Sequence, residues 1–317
     1  MMPHARPMHP AVAWVLTRRI PCALLAALLF SSGMWAGGLT LTPLLALHLL
    51  TPALFALIAM GGGLLFGLQV ALIAAALLIL SARGDVAPGL MLLAMYALLP
   101  MLAARTLKGP DGLSRSAWQL AIGVGCAMLA ALIAGSQGGD PEAMVTRMLA
   151  PMLDAMARQQ PLDAEALARI RLTSAWMFPG LTALVLWSIW WGDVVLARGI
   201  AIRHGFFRGD ARPFSALRLG PPAAWVFLGL IAACLIADGT LRYLAFAAML
   251  LAGGLITAQG LAVLHAWLRA RGLPWMLAAL YVVLLIQPVM LLPFTVAGLL
   301  DVWLDYRRRI TPVNGGQ

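Results

Sequence analysis

The chain has 317 residues, 62% of them hydrophobic and only 11% charged, with a net charge of +10 and a mean hydropathy of +0.91. A water-soluble globule of this size must present a largely polar surface, so the composition excludes one and makes lipid the solvent for most side chains. The long unbroken Leu/Ala-rich runs, such as Leu64–Leu80 and Tyr243–Leu261, exclude a β-barrel, whose strands alternate apolar and polar residues over about ten positions. The expected fold is all-α: a polytopic transmembrane bundle of about eight to ten helices, because hydrocarbon obliges each spanning segment to satisfy its own backbone.

In chain order, Arg18-Arg19 precede an apolar run from Ile20 to Phe30. With Pro21 close behind and no small-residue cleavage site, a first span with a cytoplasmic positive flank is expected rather than a twin-arginine signal. Spans are expected over 20–36, 41–59, 62–81, 87–104, 117–136, 173–196, 221–237 and 241–267, followed by an apolar block at 274–304. Each of the first eight has roughly the 17–25 residues that cross a bilayer. The last block is too long for one untilted crossing, and Gln287-Pro288 near its middle breaks it.

Basic residues fix the expected orientation. With the N-terminus inside, thirteen fall on the cytoplasmic side (Arg6, Arg18, Arg19, Arg105, Lys108, Arg115, Arg198, Arg203, Arg208, Arg212, Arg218, Arg269 and Arg271) and six outside, before Arg307–Arg309 are placed. Positive-inside bias then wants Arg307–Arg309 inside too, so the block 274–304 is expected to turn back at Gln287-Pro288. Both termini are thereby expected to be cytoplasmic.

The whole of 1–317 reads as one integral membrane domain carrying two special connections. Residues 138–172 form an outer-side amphipathic insertion: Asp140-Pro141-Glu142 is a helix start, and Met144, Met148, Met152 and Met156 recur every four residues to give a methionine-rich face. A second short helix is expected from Asp163 into the next span. Residues 198–222 mix Phe206, Phe207, Phe214 and Leu217 with five arginines and read as a cytoplasmic interfacial linker.

Polar groups inside spans are candidates for function because lipid makes them costly. His48, Gln69 and Gln259 are the candidate ligand-binding residues, although bonding a neighbouring helix is the commoner role of such groups. Asp193 and His265 are expected near span ends, within reach of water. Cys22, Cys126 and Cys234 lie in apolar runs without metal or disulfide spacing, so neither metal nor cofactor is expected. The chain lacks HExxH, G-x-S-x-G and Walker motifs and has only two glutamates, which argues against an enzyme. No basic, aromatic-interleaved platform suggests nucleic acid.

The C-terminal third resembles the YybS-like family of bacterial inner-membrane proteins of unknown function. The residues that carry this are Ala258-Gln259-Gly260-Leu261-Ala262-Val263-Leu264-His265, Arg271-Gly272-Leu273-Pro274 and the run from Gly298 to Arg308. Upstream, Arg212-Pro213-Phe214 and Leu217–Pro221 are compatible with it. That family is distantly similar to the substrate-binding components of energy-coupling-factor transporters. The resemblance implies capture of a small molecule and docking of a membrane partner through small residues of an early helix, here Ala23 and Ala27. The expected function is a small-molecule-binding or transport-related subunit, the alternative a non-transporting scaffold that supports envelope integrity. Membrane lipid is the one partner that composition itself requires.

Overall fold

A computed structural model describes residues 7–33, 42–159, 163–207, 209 and 211–309. Arg6, Arg208 and residues 34–36 and 41 of two expected spans lie outside the described residues. Those described contain helices and no strand. Six helices are long and apolar enough to cross a membrane: Pro43–Gly61 (broken once), Gly63–Ser81, Ala87–Thr106, Gly112–Ser136, Ala164–Arg203 and Gly239–Ala270. Shorter apolar helices occupy Arg19–Ser32, Pro221–Ile236 and Val289–Leu304. Large apolar side chains stand exposed along them, Leu65 at 71%, Leu80 at 78% and Ile236 at 81%, an arrangement that only a lipid solvent tolerates.

The sequence reading treats 1–317 as one integral membrane domain; within it the chain packs as two compact units, residues 1–120 with 188–212, and residues 121–187 with 213–317. Two of the three divisions fall inside continuous helices, α8 and α10, and the third, between Arg212 and Pro213, falls in the basic segment 198–222.

The first unit contains α1 (Pro10–Thr17), α2 (Arg19–Ser32), α3 (Thr42–Leu49), α4 (Thr51–Gly61), α5 (Gly63–Ser81), α6 (Ala87–Met91) and α7 (Leu99–Thr106), with a π-helical stretch at Leu92–Leu98 between the last two. It also takes the start of α8 (Gly112–Ser136) and the end of a later helix. α4 passes to α5 through Gly63 at φ +84°, a left-handed conformation that glycine adopts without strain. The core of this unit is the face Cys22, Ala23, Ala26 and Phe30 of α2, most of α4, and Val70, Ala71, Ala74 and Leu78 of α5.

Two spans of this unit are disturbed by proline. Pro52 cannot donate to the carbonyl four residues back, that of His48. The helix breaks at Leu50, and the Thr51 hydroxyl takes the His48 carbonyl instead, at 2.7 Å. Pro100 likewise leaves the carbonyl of Tyr96 without its helical donor, and the π-helical stretch ends just before it.

The second unit contains the rest of α8, α9 (Pro141–Gln159), the first part of α10 (Ala164–Arg203), α11 (Pro221–Ile236), α12 (Gly239–Ala270), α13 (Met276–Ile286) and α14 (Leu292–Leu304). α9 starts as the sequence indicates, with Asp140 Oδ1 accepting from the Glu142 amide at 3.1 Å. Its inner face differs from the one expected. Val145, Leu149 and Leu153 are buried with Leu132, Ala175 and Tyr243, and Met144 and Met156 flank them. Met148 and Met152 are exposed at 53% and 62%. The i, i+4 methionine row therefore runs off the packed stripe, because 3.6 residues per turn carries it around the helix.

No separate short helix follows. Asp163 caps a single helix, α10, of 40 residues. At 1.5 Å per residue that is about 60 Å, roughly twice the hydrocarbon thickness, so its ends extend past the membrane. The segment expected as an interfacial linker starts within α10 and then packs inward: Leu217 and Leu219 are buried in the second unit.

The last apolar block breaks where the sequence says it does, at Gln287, with a short 3₁₀ turn at Pro288–Leu291. Both of its arms meet the same part of α12. On the way in, the Tyr281 hydroxyl pairs with His265 Nε2 at 2.9 Å; on the way out, Asp301 Oδ2 accepts from Gln259 Nε2 at 3.0 Å. The block thus returns to the end of α12 that it left.

Candidate functional site

The strongest cluster of polar groups in the first unit is built on the two proline-disturbed spans. α3 carries His48, and its Nδ1 lies 2.6 Å from the Phe30 carbonyl of α2. A carbonyl only accepts, so Nδ1 bears the proton and donates. Nε2 lies 2.9 Å from the Tyr96 hydroxyl on the π-helical stretch, which donates to it in the Nδ1–H tautomer. The rings pack as a set: Phe30 edge-on to Tyr96 at 5.1 Å, His48 tilted on Tyr96 at 4.9 Å, and Trp190 of α10 edge-on to Tyr96 at 5.5 Å. These spacings suit aromatic pairs. Gly33 makes room for the imidazole, since a β-carbon there would meet its ring at 2.6 Å.

One turn beyond Trp190 on the same face of α10 stands Asp193. The sequence places it near a span end; α10 continues ten residues further to Arg203, and Asp193 is only 7% exposed. Its Oδ2 is buried and has no hydrogen-bond partner among the described residues. An isolated carboxylate oxygen in such surroundings is destabilising, by several kcal/mol or more if charged. Sequence reasoning singles out neither Trp190 nor Tyr96, and gives Asp193 no ligand role. The signals were present: Tyr96 and His48 each sit four residues before a span proline.

The other residues singled out from sequence are placed differently. Gln69 is half-buried on α5. Ala23 is fully buried in the first unit and Ala27 half-buried. The face of α2 that is open belongs to Ile20, Leu24 and Leu28, so Ala23 offers no surface to a partner. Two cavities of about 390 Å³ open in the first unit. One is apolar, lined by residues that include Leu16, Leu57, Phe66 and Phe206; the other is lined by Arg105, Thr106, Arg115 and Gln119. Neither is lined by His48, Gln69 or Gln259.

Gln259 belongs to a different construction, in the second unit. It is 2% exposed. Its Oε1 accepts from the Leu219 amide at 2.9 Å, and its Nε2 donates to Asp301 Oδ2. The same carboxylate oxygen accepts from Arg307 Nη2 at 2.6 Å, and Oδ1 accepts from the Tyr306 amide at 3.0 Å. Arg307 Nη1 completes the set by donating to the carbonyls of Ser215 and Leu217, at 2.9 and 2.6 Å. Both polar ends of Gln259 are used between segments, so it braces the fold.

Asp305, just past α14, accepts from Arg218 Nη1 at 2.9 Å and Arg308 Nε at 2.7 Å. Burial raises its carboxyl, but the hydrogen bond and charge of Arg218, then the charges of Arg308 and Arg307, lower it further, to below its ordinary 3.8. A carboxylate depressed on folding stabilises the fold above its unfolded pKa, and the contribution is lost as pH falls through the folded value. Asp305→Asn should therefore melt below the wild type at pH 6, and the gap should close below about pH 4.

Among the described residues no group of three or more His, Cys, Asp or Glu side chains is arranged to hold a metal ion. No curated protein and no solved structure matches the chain. A family model described as "Predicted membrane protein (DUF2232)" matches residues 24–302. With most of its length matched, the chain belongs to that family of membrane proteins.

Proposed function

We propose that the chain is a non-enzymatic, small-molecule-binding subunit of the inner membrane, transport-related in the sense that the likeness to YybS-like proteins and energy-coupling-factor substrate-binding components implies. Both termini are cytoplasmic in this reading, on the distribution of arginines, and a membrane partner supplies energy. The observation that carries it is Asp193. A buried carboxylate oxygen without a partner, in a lipid-embedded helix, is maintained against its cost when something else uses it. Trp190, one turn away on α10, and Tyr96, packed on Trp190, offer rings, and His48 a donor–acceptor pair. That chemistry fits a small molecule with a positively charged nitrogen or a planar ring, held by a carboxylate and aromatic faces.

Native mass spectrometry of gently extracted protein tests this through His48→Ala. The Phe30 carbonyl keeps its own donor in the Gly33 amide, so the substitution removes hydrogen bonds worth about 1 kcal/mol each or less in a membrane. The variant should stay folded and lose the co-purifying molecule. Loss of fold in step with loss of the molecule would assign His48 to structure alone.

A non-transporting scaffold is the second reading. What favours it is the saturation of Gln259 and of both His48 nitrogens by hydrogen bonds between segments. In that reading Asp193→Asn changes nothing but stability.

A further inference from the structure

We infer that the connection between α7 and α8 holds a binding site for a phosphate group, separate from the cluster around Asp193. The cavity there is lined by Leu102, Arg105, Thr106, Gly109, Arg115 and Gln119, with a volume of about 390 Å³. Among the described residues no carboxylate lines it. The acid nearest in sequence, Asp111, is already engaged by Arg212 at 2.9 Å. Among the described residues neither Arg105 nor Arg115 has an ion-pair partner.

The turn brings the groups together. Arg105 ends α7, and after the tight stretch Leu107–Gly112 the chain re-enters a helix that offers Arg115 one turn in. Arg115 folds back over the turn: a β-carbon on Gly109 would lie 3.5 Å from its Nη1. The Thr106 hydroxyl gives its proton to the Ala103 carbonyl at 2.7 Å, and Gln119 Oε1 is buried without a partner. Turning that amide over presents its NH₂ group in place of the oxygen, the orientation an anion selects. Two guanidiniums without an ion-pair partner among the described residues, beside a buried amide oxygen that lacks a hydrogen-bond partner, supply the chemistry that arginine uses on phosphate. Either the phosphodiester headgroup of an anionic lipid or a free phosphate supplies this chemistry, and basic pockets between membrane helices take headgroups in this way.

The test uses full-length protein in lipid nanodiscs. In discs of phosphatidylcholine alone, inorganic phosphate is titrated while melting is followed. In mixed discs, retained phosphatidylglycerol is counted by native mass spectrometry. A melting shift with inorganic phosphate identifies a free anion as the source, and selective retention of phosphatidylglycerol identifies a headgroup. Whichever response the wild type shows should fall at least about tenfold in Arg105→Gln/Arg115→Gln, the loss of two charge-assisted contacts. Lys108→Gln, which removes a neighbouring charge that does not line the cavity, should leave it within about twofold. Arginine-directed footprinting of the wild type needs no variant: the effective probe should protect Arg105 and Arg115 and leave Arg147 reactive. The inference is overturned if neither probe acts on the wild type. It is equally overturned if Lys108→Gln loses as much as the double variant, or if protection does not distinguish Arg105 and Arg115 from Arg147.

Discussion

Replacing Gly260 or Gly298 by valine is expected to abolish recovery of folded protein. α12 and α14 cross with their backbones touching. A β-carbon on Gly260 would lie 1.9 Å from the Phe294 carbonyl oxygen, and one on Gly298 would lie 2.0 Å from that of Ile256. In both cases the obstacle is main chain, which cannot swing aside as a side chain does. Overpacking against movable neighbours already costs 1–3 kcal/mol, so about 3 kcal/mol or more is expected here. The crossing also sets the 2.6 Å bond between the Thr257 and Thr295 hydroxyls, which would be lost with it. Gly229→Ala is the control. It lies in α11 with open space at its β-carbon, so it should be neutral or slightly stabilising, as alanine for glycine is in a helix. Yield of monodisperse protein after extraction, together with thermal melting, reads both.

The second large effect is expected at the buried ion pair. The Asp301 and Arg307 side chains are only 2% and 8% exposed. Truncating one leaves the other as an uncompensated charge, at a cost of about 3–5 kcal/mol. Asp301→Ala additionally strands the Gln259 amide and the Tyr306 amide, so it should be the worse of the two. Arg307→Met leaves the Ser215 and Leu217 carbonyls without their guanidinium donor and should come next. Asp301→Ala/Arg307→Met should melt above either single variant, because no lone charge remains. If the double variant melts at the sum of the two single losses, the pair is not coupled as the geometry requires.

What was legible in the sequence follows from what lipid enforces. Span positions could be read because hydrocarbon demands long apolar helices, and the break at Gln287-Pro288 because proline removes a donor. The helix starts at Asp140 and Asp163 were equally plain as capping signals. The union of the second short helix with the following span in α10 was not, since nothing in its composition marks where lipid ends. Of the two-unit division only the crossing at Arg212-Pro213 coincides with a change of composition; the other two lie inside helices. Gln259 and His48 were visible as costly polar residues, but the sequence could not tell a brace from a pocket wall. That distinction depends on partners far along the chain, Asp301 and Leu219 in one case and Tyr96 and Phe30 in the other. The methionine row of α9 misled because a four-residue repeat drifts from the 3.6-residue period of the packed stripe.

Asp193→Asn separates a residue kept for a ligand from one kept for the fold. The substitution preserves shape and removes the charge whose burial destabilises the protein, so structure alone gains from it. Melting and native mass spectrometry on the same preparation supply the answer. The account predicts a melting temperature at or above that of the wild type, with the co-purifying small molecule gone. A variant that melts lower while keeping that molecule would contradict it.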